Sequence, residues 1–358
     1  MVKRIFLRED ESYEPAFLLV AIILFVIVVF LMFGKFGGYD NSGFSSLFCG
    51  DGTLNGACSI NKKPFFCSDG ILVEKASVCG CPSSTVIKGD SCISVYEGNP
   101  VNASFKYVLR GENKTINVTL YGEMADYILT IPREISYANG EIPSREDFKL
   151  RKLNEENQRQ LLLPLVIQIQ NLNKDKAEQL RIAVSLVQNI DWGFSNKTLQ
   201  FGHNEVPYSR YPYEVLYENR GVCGEKSELL AFLLRELGFD VALFYNQFEN
   251  HESVGVRCPK EHSWHNSGYC FIETSGPSVI SDSSIIYVGG LIIKSKPELI
   301  YISDGASLGE DIYEYQDAED LGAIRQKVEE TGKLNQIDIS KLNELKTKYG
   351  LVDEYNSG

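Results

Sequence analysis

The chain has 358 residues, a formal net charge of -13 and 44% hydrophobic residues, which gives room for one substantial globular domain with small modules around it. The acidic balance argues against nucleic acid as a partner, because phosphate recognition asks for a basic face and no basic cluster stands out beyond the pair Lys62 and Lys63. Acidity of this kind is a solubility feature. Nothing in the sequence calls for a cofactor.

Taken in chain order, the first element is an apolar run from Ala16 that carries no charge through Phe33 and closes on Gly34 and Lys35. At about 1.5 Å of helical rise per residue it covers close to the roughly 30 Å hydrocarbon core of a bilayer. Phe, Leu, Val and Ile cover every face of it, and no small-residue cleavage site follows. The sequence therefore predicts a transmembrane helix over 16–34, with membrane lipid as its partner. Lys3, Arg4 and Arg8 precede the span and only Lys35 stands close behind it, so residues 1–15 are expected in the cytoplasm and everything after the span outside it. Residues 35–48, rich in Gly and Ser, read as a stalk.

Cys49, Cys58, Cys67, Cys79, Cys81 and Cys92 crowd the next stretch, 49–99, which has too few apolar residues to build much core. Disulfides supply stability in such modules. The stretch has no His and no C-x-x-C spacing, which disfavours zinc, and the fifteen possible pairings of six cysteines stay open. Over 100–146 a β segment follows: Phe105, Tyr107 and Leu109 alternate, as do Ile116, Val118 and Leu120, with Arg110 to Thr115 as a polar turn. Asn102, Asn113, Asn117 and Asn196 each begin an N-x-Ser/Thr acceptor, consistent with a glycoprotein, although about two such triplets arise by chance.

From Asp147 to Ile190 the pattern turns helical. Pro164 and the polar stretch Asn171 to Lys174 interrupt it, predicting two helices, the second marked by Leu180, Ile182, Val184 and Val187. A further helix is expected from Cys223 to Leu237, stopped by Gly238. Leu229, Leu230, Phe232, Leu233, Leu234 and Leu237 cover so much of its surface that it reads as a buried central helix. Cys223 then stands at its N-terminus, where unpaired amides and the helix dipole favour a thiolate. Strands are expected at Val241 to Tyr245, around Val254 and Val256 after His251, and at Tyr269 to Ile272, which leads into Glu273. A thiol, an imidazole and a carboxylate thus fall on a helix start and two strand edges.

The string GVCGEKSELLAFLLRELGF and the order Cys, His, acid resemble the transglutaminase-like superfamily, most nearly the domains of archaeal membrane-anchored surface proteins. The resemblance runs from about Gln160 to Pro277. It implies an α+β, papain-like core over 147–308, with the Cys-bearing helix packed on an antiparallel sheet, preceded here by the membrane helix and the small disulfide-rich module. It also makes Cys223 the nucleophile, His251 its base and Glu273 the group that orients the imidazole. The third group is more often Asp in that superfamily, and the longer Glu must retract or sit on a displaced strand. His251 is followed by Glu-Ser-Val, where many members have a small residue and then Trp.

Cys258 and Cys270 bracket the loop CPKEHSWHNSGYC. With His262 and His265 they could form a metal set, but a disulfide is the simpler reading outside the cytoplasm. Of nine cysteines, six in the module and two here leave Cys223 as the odd thiol. Trp192 reads as a packed core indole rather than an oxyanion donor. Strand-like runs at Ile285 to Val288, Leu291 to Ile293 and Leu299 to Ile302 could complete the sheet. The charged segment 309–358 carries two amphipathic patterns, at Leu321, Ile324 and Val328 and at Leu342, Leu345 and Tyr349. The expected function is acyl transfer from a carboxamide or peptide carbonyl of a protein or peptide substrate. The alternative is a non-catalytic surface or envelope-assembly module that keeps the fold.

Overall fold

The computed structural model describes residues 47–352, except 139, 202, 286 and 288–291. The predicted cytoplasmic tail and membrane helix, and all but the end of the stalk, lie outside the described residues. Among those described, no helix is long and apolar enough to cross a membrane.

The cysteine-rich stretch forms two short hairpins, β1 (Phe65–Ser68) with β2 (Ile71–Glu74) and β3 (Thr85–Lys88) with β4 (Ser91–Ser94). Disulfides Cys49–Cys67, Cys58–Cys79 and Cys81–Cys92 staple them. Phe65 and Leu72 are among its few buried apolar side chains, while Ile60, Val86 and Val95 stay in solvent.

The alternating segment becomes a long hairpin, β5 (Pro100–Leu109) and β6 (Glu112–Tyr121), with Phe105 opposite Ile116. Its turn is only Arg110 and Gly111, at φ 53° and 81°, tighter than the polar run Arg110 to Thr115 suggests. Two successive positive φ angles give the turn handedness that matches strand twist. Phe105, Tyr107, Ile116, Val118 and Leu120 point into the core.

Helix α1 (Gly122–Thr130) leads to three helices where two were expected: α2 (Arg145–Leu153), α3 (Glu156–Leu172) and α4 (Lys176–Gln188). Pro164 lies inside α3 instead of ending it. A proline there removes one main-chain hydrogen bond, but Leu161, Leu162, Leu163, Leu165, Val166 and Ile169 bury several faces of this helix, and that packing outweighs the local penalty. The break falls earlier, where the Glu155 carboxylate accepts from the amides of Asn157 and Gln158 and starts a new helix. On the other side, α3 presents Leu163 and Ile167 to Cys49, Phe65, Cys67 and Leu72, which completes the small core of the cystine module.

Strand β7 (Asp191–Trp192), the hairpin β8 (Thr198–Phe201) with β9 (Asn204–Pro207), helix α5 (Pro212–Glu218) and strand β10 (Arg220–Gly221) lead into α6 (Cys223–Glu236). Every residue from Glu225 to Leu234 in α6 is buried, as expected of a central helix. It packs on a four-stranded antiparallel sheet of β11 (Val241–Asn246), β12 (His251–Arg257), β13 (Tyr269–Ile272) and β14 (Glu298–Ser303), in the order β13-β12-β11-β14. Of the three runs after Pro277, the last is strand β14, and the other two lie partly outside the described residues. Ile285 instead fills a second apolar cluster with Phe244, Trp264 and Phe271 on the other face of the sheet.

Helices α7 (Tyr313–Thr331) and α8 (Gln336–Tyr349) fold back on the domain. Leu321 and Leu345 meet Val279, and Arg325 Nη1 lies 2.8 Å from both carboxylate oxygens of the buried Asp282. The segment that follows β13 is therefore covered and charge-paired by the C-terminal helices.

Candidate active site

Cys223 opens α6 without a Ser or Thr cap. The first turn is held instead by buried Glu225, whose carboxylate accepts from the Val222 amide at 3.1 Å and from Arg210 Nη1 at 2.9 Å. The half-buried Cys223 is the one free cysteine among the described residues. Gly221 precedes it in a parallel bridge to Trp192, and a Cβ there would lie 3.1 Å from Lys226 Cγ and 3.2 Å from Val215. That close approach favours glycine.

His251 is the first residue of β12 and Glu273 follows the last residue of β13, so antiparallel pairing sets imidazole and carboxylate at the same end of the sheet. Their Nε2 and Oε2 atoms are 2.9 Å apart. The Cys223 side chain lies near enough to the same imidazole to raise its pKa. A disulfide, Cys258–Cys270, ties the far end of β12 to β13, so the strands bearing His251 and Glu273 are also linked covalently. Ser227 and Thr274 join the nucleophile's helix to this pair: their hydroxyls are 2.9 Å apart, Ser227 donates to the Glu252 carbonyl and Thr274 to that of Cys223.

The longer third side chain fits by folding back. Oε1 of Glu273 accepts from the amides of Thr274 at 2.9 Å and Ser275 at 2.7 Å, and from the Ser275 hydroxyl at 2.6 Å. The Glu273 side chain is thus retracted against its own chain segment. Burial pushes the Glu273 carboxyl up, but the bonds from His251, Ser275 and Tyr287 outweigh it and hold it down at about 2. Burial alone pushes His251 down; bonding to Cys223 and Glu273 reverses that and raises it to about 10. The imidazolium is thus the stable form near neutrality, set between a sulfur and a carboxylate.

Three further residues enter the site. Tyr287, from the loop after β13, donates its hydroxyl to Glu273 Oε2 and lies 3.3 Å from His251 Nε2. Lys226, fully buried, donates to the carbonyls of Ile190 at 2.6 Å and Ser275 at 3.1 Å. Burial lowers its ammonium to about 8, against the attraction of Glu273, Asp191 and Cys223. Gln188 donates to the Glu273 carbonyl at 2.9 Å. The three-residue spacing of Cys223 and Lys226, neighbours on one helix face, was a usable signal. Tyr287 and Gln188 had none, because they reach the site from sequence-distant elements.

The remaining candidates are placed differently. Trp192 is not a core indole: it is 54% exposed and makes an edge contact with exposed Phe194, because its two-residue strand runs along the surface. His262 stacks on Tyr315, and His265 packs against Trp264. Beside the site, Lys149 bridges buried Glu228 and Glu252 at 2.6 and 2.8 Å, joining α2, α6 and the strand of His251. No group of three or more His, Cys, Asp or Glu among the described residues could hold a metal ion.

Residues 165–272 match the family model of the transglutaminase-like superfamily. The matched span contains Cys223 and His251 and ends one residue before Glu273. No curated protein matches the chain. Fold and match agree on an α+β architecture with a transglutaminase-like domain, accompanied by disulfides.

Proposed function

With residues 165–272 forming a transglutaminase-like domain, we propose that the chain is a membrane-anchored, extracytoplasmic thiol enzyme that transfers acyl groups from a carboxamide or peptide carbonyl. The observation that carries the proposal is the His251 imidazole bonded to the Glu273 carboxylate at 2.9 Å, with the free thiol of Cys223 near enough to raise its pKa. Cys223 attacks the carbonyl carbon as thiolate, His251 gives its proton to the departing amine, and a thioester remains on sulfur. Water or a second amine, deprotonated by His251, then attacks the thioester, and sulfur leaves as the thiolate beside the re-formed imidazolium. Glu273 keeps its charge throughout and holds the ring in place. Water as acceptor makes the protein a peptidase or amidase; a lysine amine makes it a crosslinker. The apolar run 16–34 supports the anchor, and four disulfides suit an oxidising compartment.

The direct test is incubation with a glutamine-containing peptide, with and without a labelled alkyl amine, followed by mass analysis of the intact protein. A mass increase on Cys223, absent from Cys223→Ala, is expected; amine in the peptide product distinguishes transfer from hydrolysis. A Cys223 that alkylates readily but takes no acyl group from a panel of carboxamides and esters would point to the non-catalytic surface module. Protease added outside intact cells should digest everything beyond the stalk.

A further inference from the structure

Glu273 carries more hydrogen bonds than a carboxylate needs in order to orient one imidazole. Its Oε1 is occupied by two amides and a hydroxyl of its own chain segment. Its Oε2 is shared between His251 Nε2 and the Tyr287 hydroxyl. Without Tyr287, rotation about the final side-chain bond of Glu273 would be limited at Oε2 by the histidine alone, the very group it has to hold. We propose that Tyr287 is a positioning residue: its hydroxyl fixes Glu273 Oε2, and its ring, centred 4.8 Å from that of His251, limits how the imidazole can tilt. This assignment rests on the acyl-transfer reading of Cys223, His251 and Glu273.

The placement of Tyr287 is a tertiary effect. It follows Asp282 and Ser284, whose side chains both bind Arg325 Nη1 of α7 at 2.8 Å, and Ile285, which is buried among Phe244, Trp264 and Phe271. Helix α7 thereby anchors the segment that delivers the phenol. Burial and the neighbouring Glu273 charge raise the phenol far above its ordinary range, so it remains a donor at every pH at which the imidazolium exists. Charged and titratable groups facing the pair come from several elements: Cys223 and Lys226 from α6, His251 from β12 and Asp282 from the loop.

Sharing Oε2 has a chemical consequence. A second donor draws charge from the carboxylate oxygen and weakens its hold on the imidazolium, so removing it leaves His251 harder to deprotonate. Tyr287→Phe keeps the ring and loses only the hydroxyl. The expected result is a roughly three- to thirtyfold lower turnover, with the upper-pH limb of Cys223 alkylation by iodoacetamide displaced to higher pH by about half a unit to one unit. Because the effect runs through Glu273, Tyr287→Phe should add almost nothing in a Glu273→Gln background. A purely structural tyrosine predicts a different pattern: the Phe variant would show a native pH profile, or its loss would persist unchanged beside Glu273→Gln, and either result overturns the assignment. Cooperative melting, checked by circular dichroism, identifies an unfolded variant; Tyr287→Met, which also lacks the donor, should then show the same displacement. A native protein whose Cys223 resists iodoacetamide across the pH range would count against the acyl-transfer reading itself and remove the Tyr287 role with it.

Discussion

The cystine module and the transglutaminase-like domain solve the same stability problem by opposite means, and cysteine marks the difference. In the module, sulfur substitutes for a core: three disulfides constrain a stretch whose apolar side chains are largely in solvent and whose small buried cluster borrows Leu163 and Ile167 from α3. In the domain, the core is large and contiguous, running through α3, α4, α6 and the sheet. There, Cys223 can stay unpaired because its helix is held by burial and by ions such as Glu225 with Arg210 and Glu228 with Lys149. Covalent constraint acts on the unfolded chain, whereas burial and charge pairing act on the folded one.

The sharpest test of this contrast concerns the cysteines themselves. Denaturation without reductant followed by alkylation should modify Cys223 alone, and Cys223→Ala should abolish labelling and lower acyl transfer by at least about ten-thousandfold. Labelling at Cys258 and Cys270 would mean that β12 and β13 are held together without the disulfide. Next in size is the ionic support. Lys149→Met leaves buried Glu252 without its ion-pair partner, while Glu228 keeps Lys152 at 3.0 Å. A loss of about 3–5 kcal/mol in denaturant unfolding is expected for breaking such a pair from one side.

A smaller and more local effect should follow removal of one module disulfide. Cys58→Ala with Cys79→Ala should cost about 2–4 kcal/mol and speed hydrogen exchange in β1 and β2, with the rate of Cys223 alkylation unchanged. A fall in that rate would show that module and site are coupled through α3. The smallest effect is pH-dependent. His251, ordinarily near 6.5, is raised to about 10, so its contribution to stability is fully present below about 6.5 and is lost as pH rises through about 10. Glu273 is lowered from 4.5 to about 2, so its contribution is present above about 4.5 and is lost as pH falls through about 2. The melting-temperature gap between the native protein and His251→Gln should therefore be constant between about pH 4.5 and 6.5 and narrow both in alkali and in strong acid.

Much of the candidate site was legible because its members lie at element ends. A cysteine before a run of leucines, a histidine before alternating valines and a glutamate after a β-rich tetrad can each be placed from local pattern alone. The same logic located the hairpin over β5 and β6. It failed where tertiary packing overrides local preference: Pro164 continues a helix because its neighbours are buried on several faces, and Trp192 stands in solvent because its strand is two residues long and lies at the surface. Of the strand-like runs after Pro277, Leu299 to Ile302 is β14, while Ile285 stands outside a strand and fills the second apolar cluster.

The sequence by itself determined which cysteine is odd, which helix is central, and which thiol, imidazole and carboxylate compete for one site, since count, periodicity and spacing are properties of the chain. Only the tertiary structure decided the disulfide partners, the folding back of Glu273 onto Thr274 and Ser275, the buried ammonium of Lys226 and the hydroxyl of Tyr287 on the carboxylate. The physical reason is range. Helix and strand patterns follow from contacts a few residues apart, whereas a buried hydrogen bond or a disulfide joins whichever polar atoms packing brings within about 3 Å, however far apart they lie along the chain.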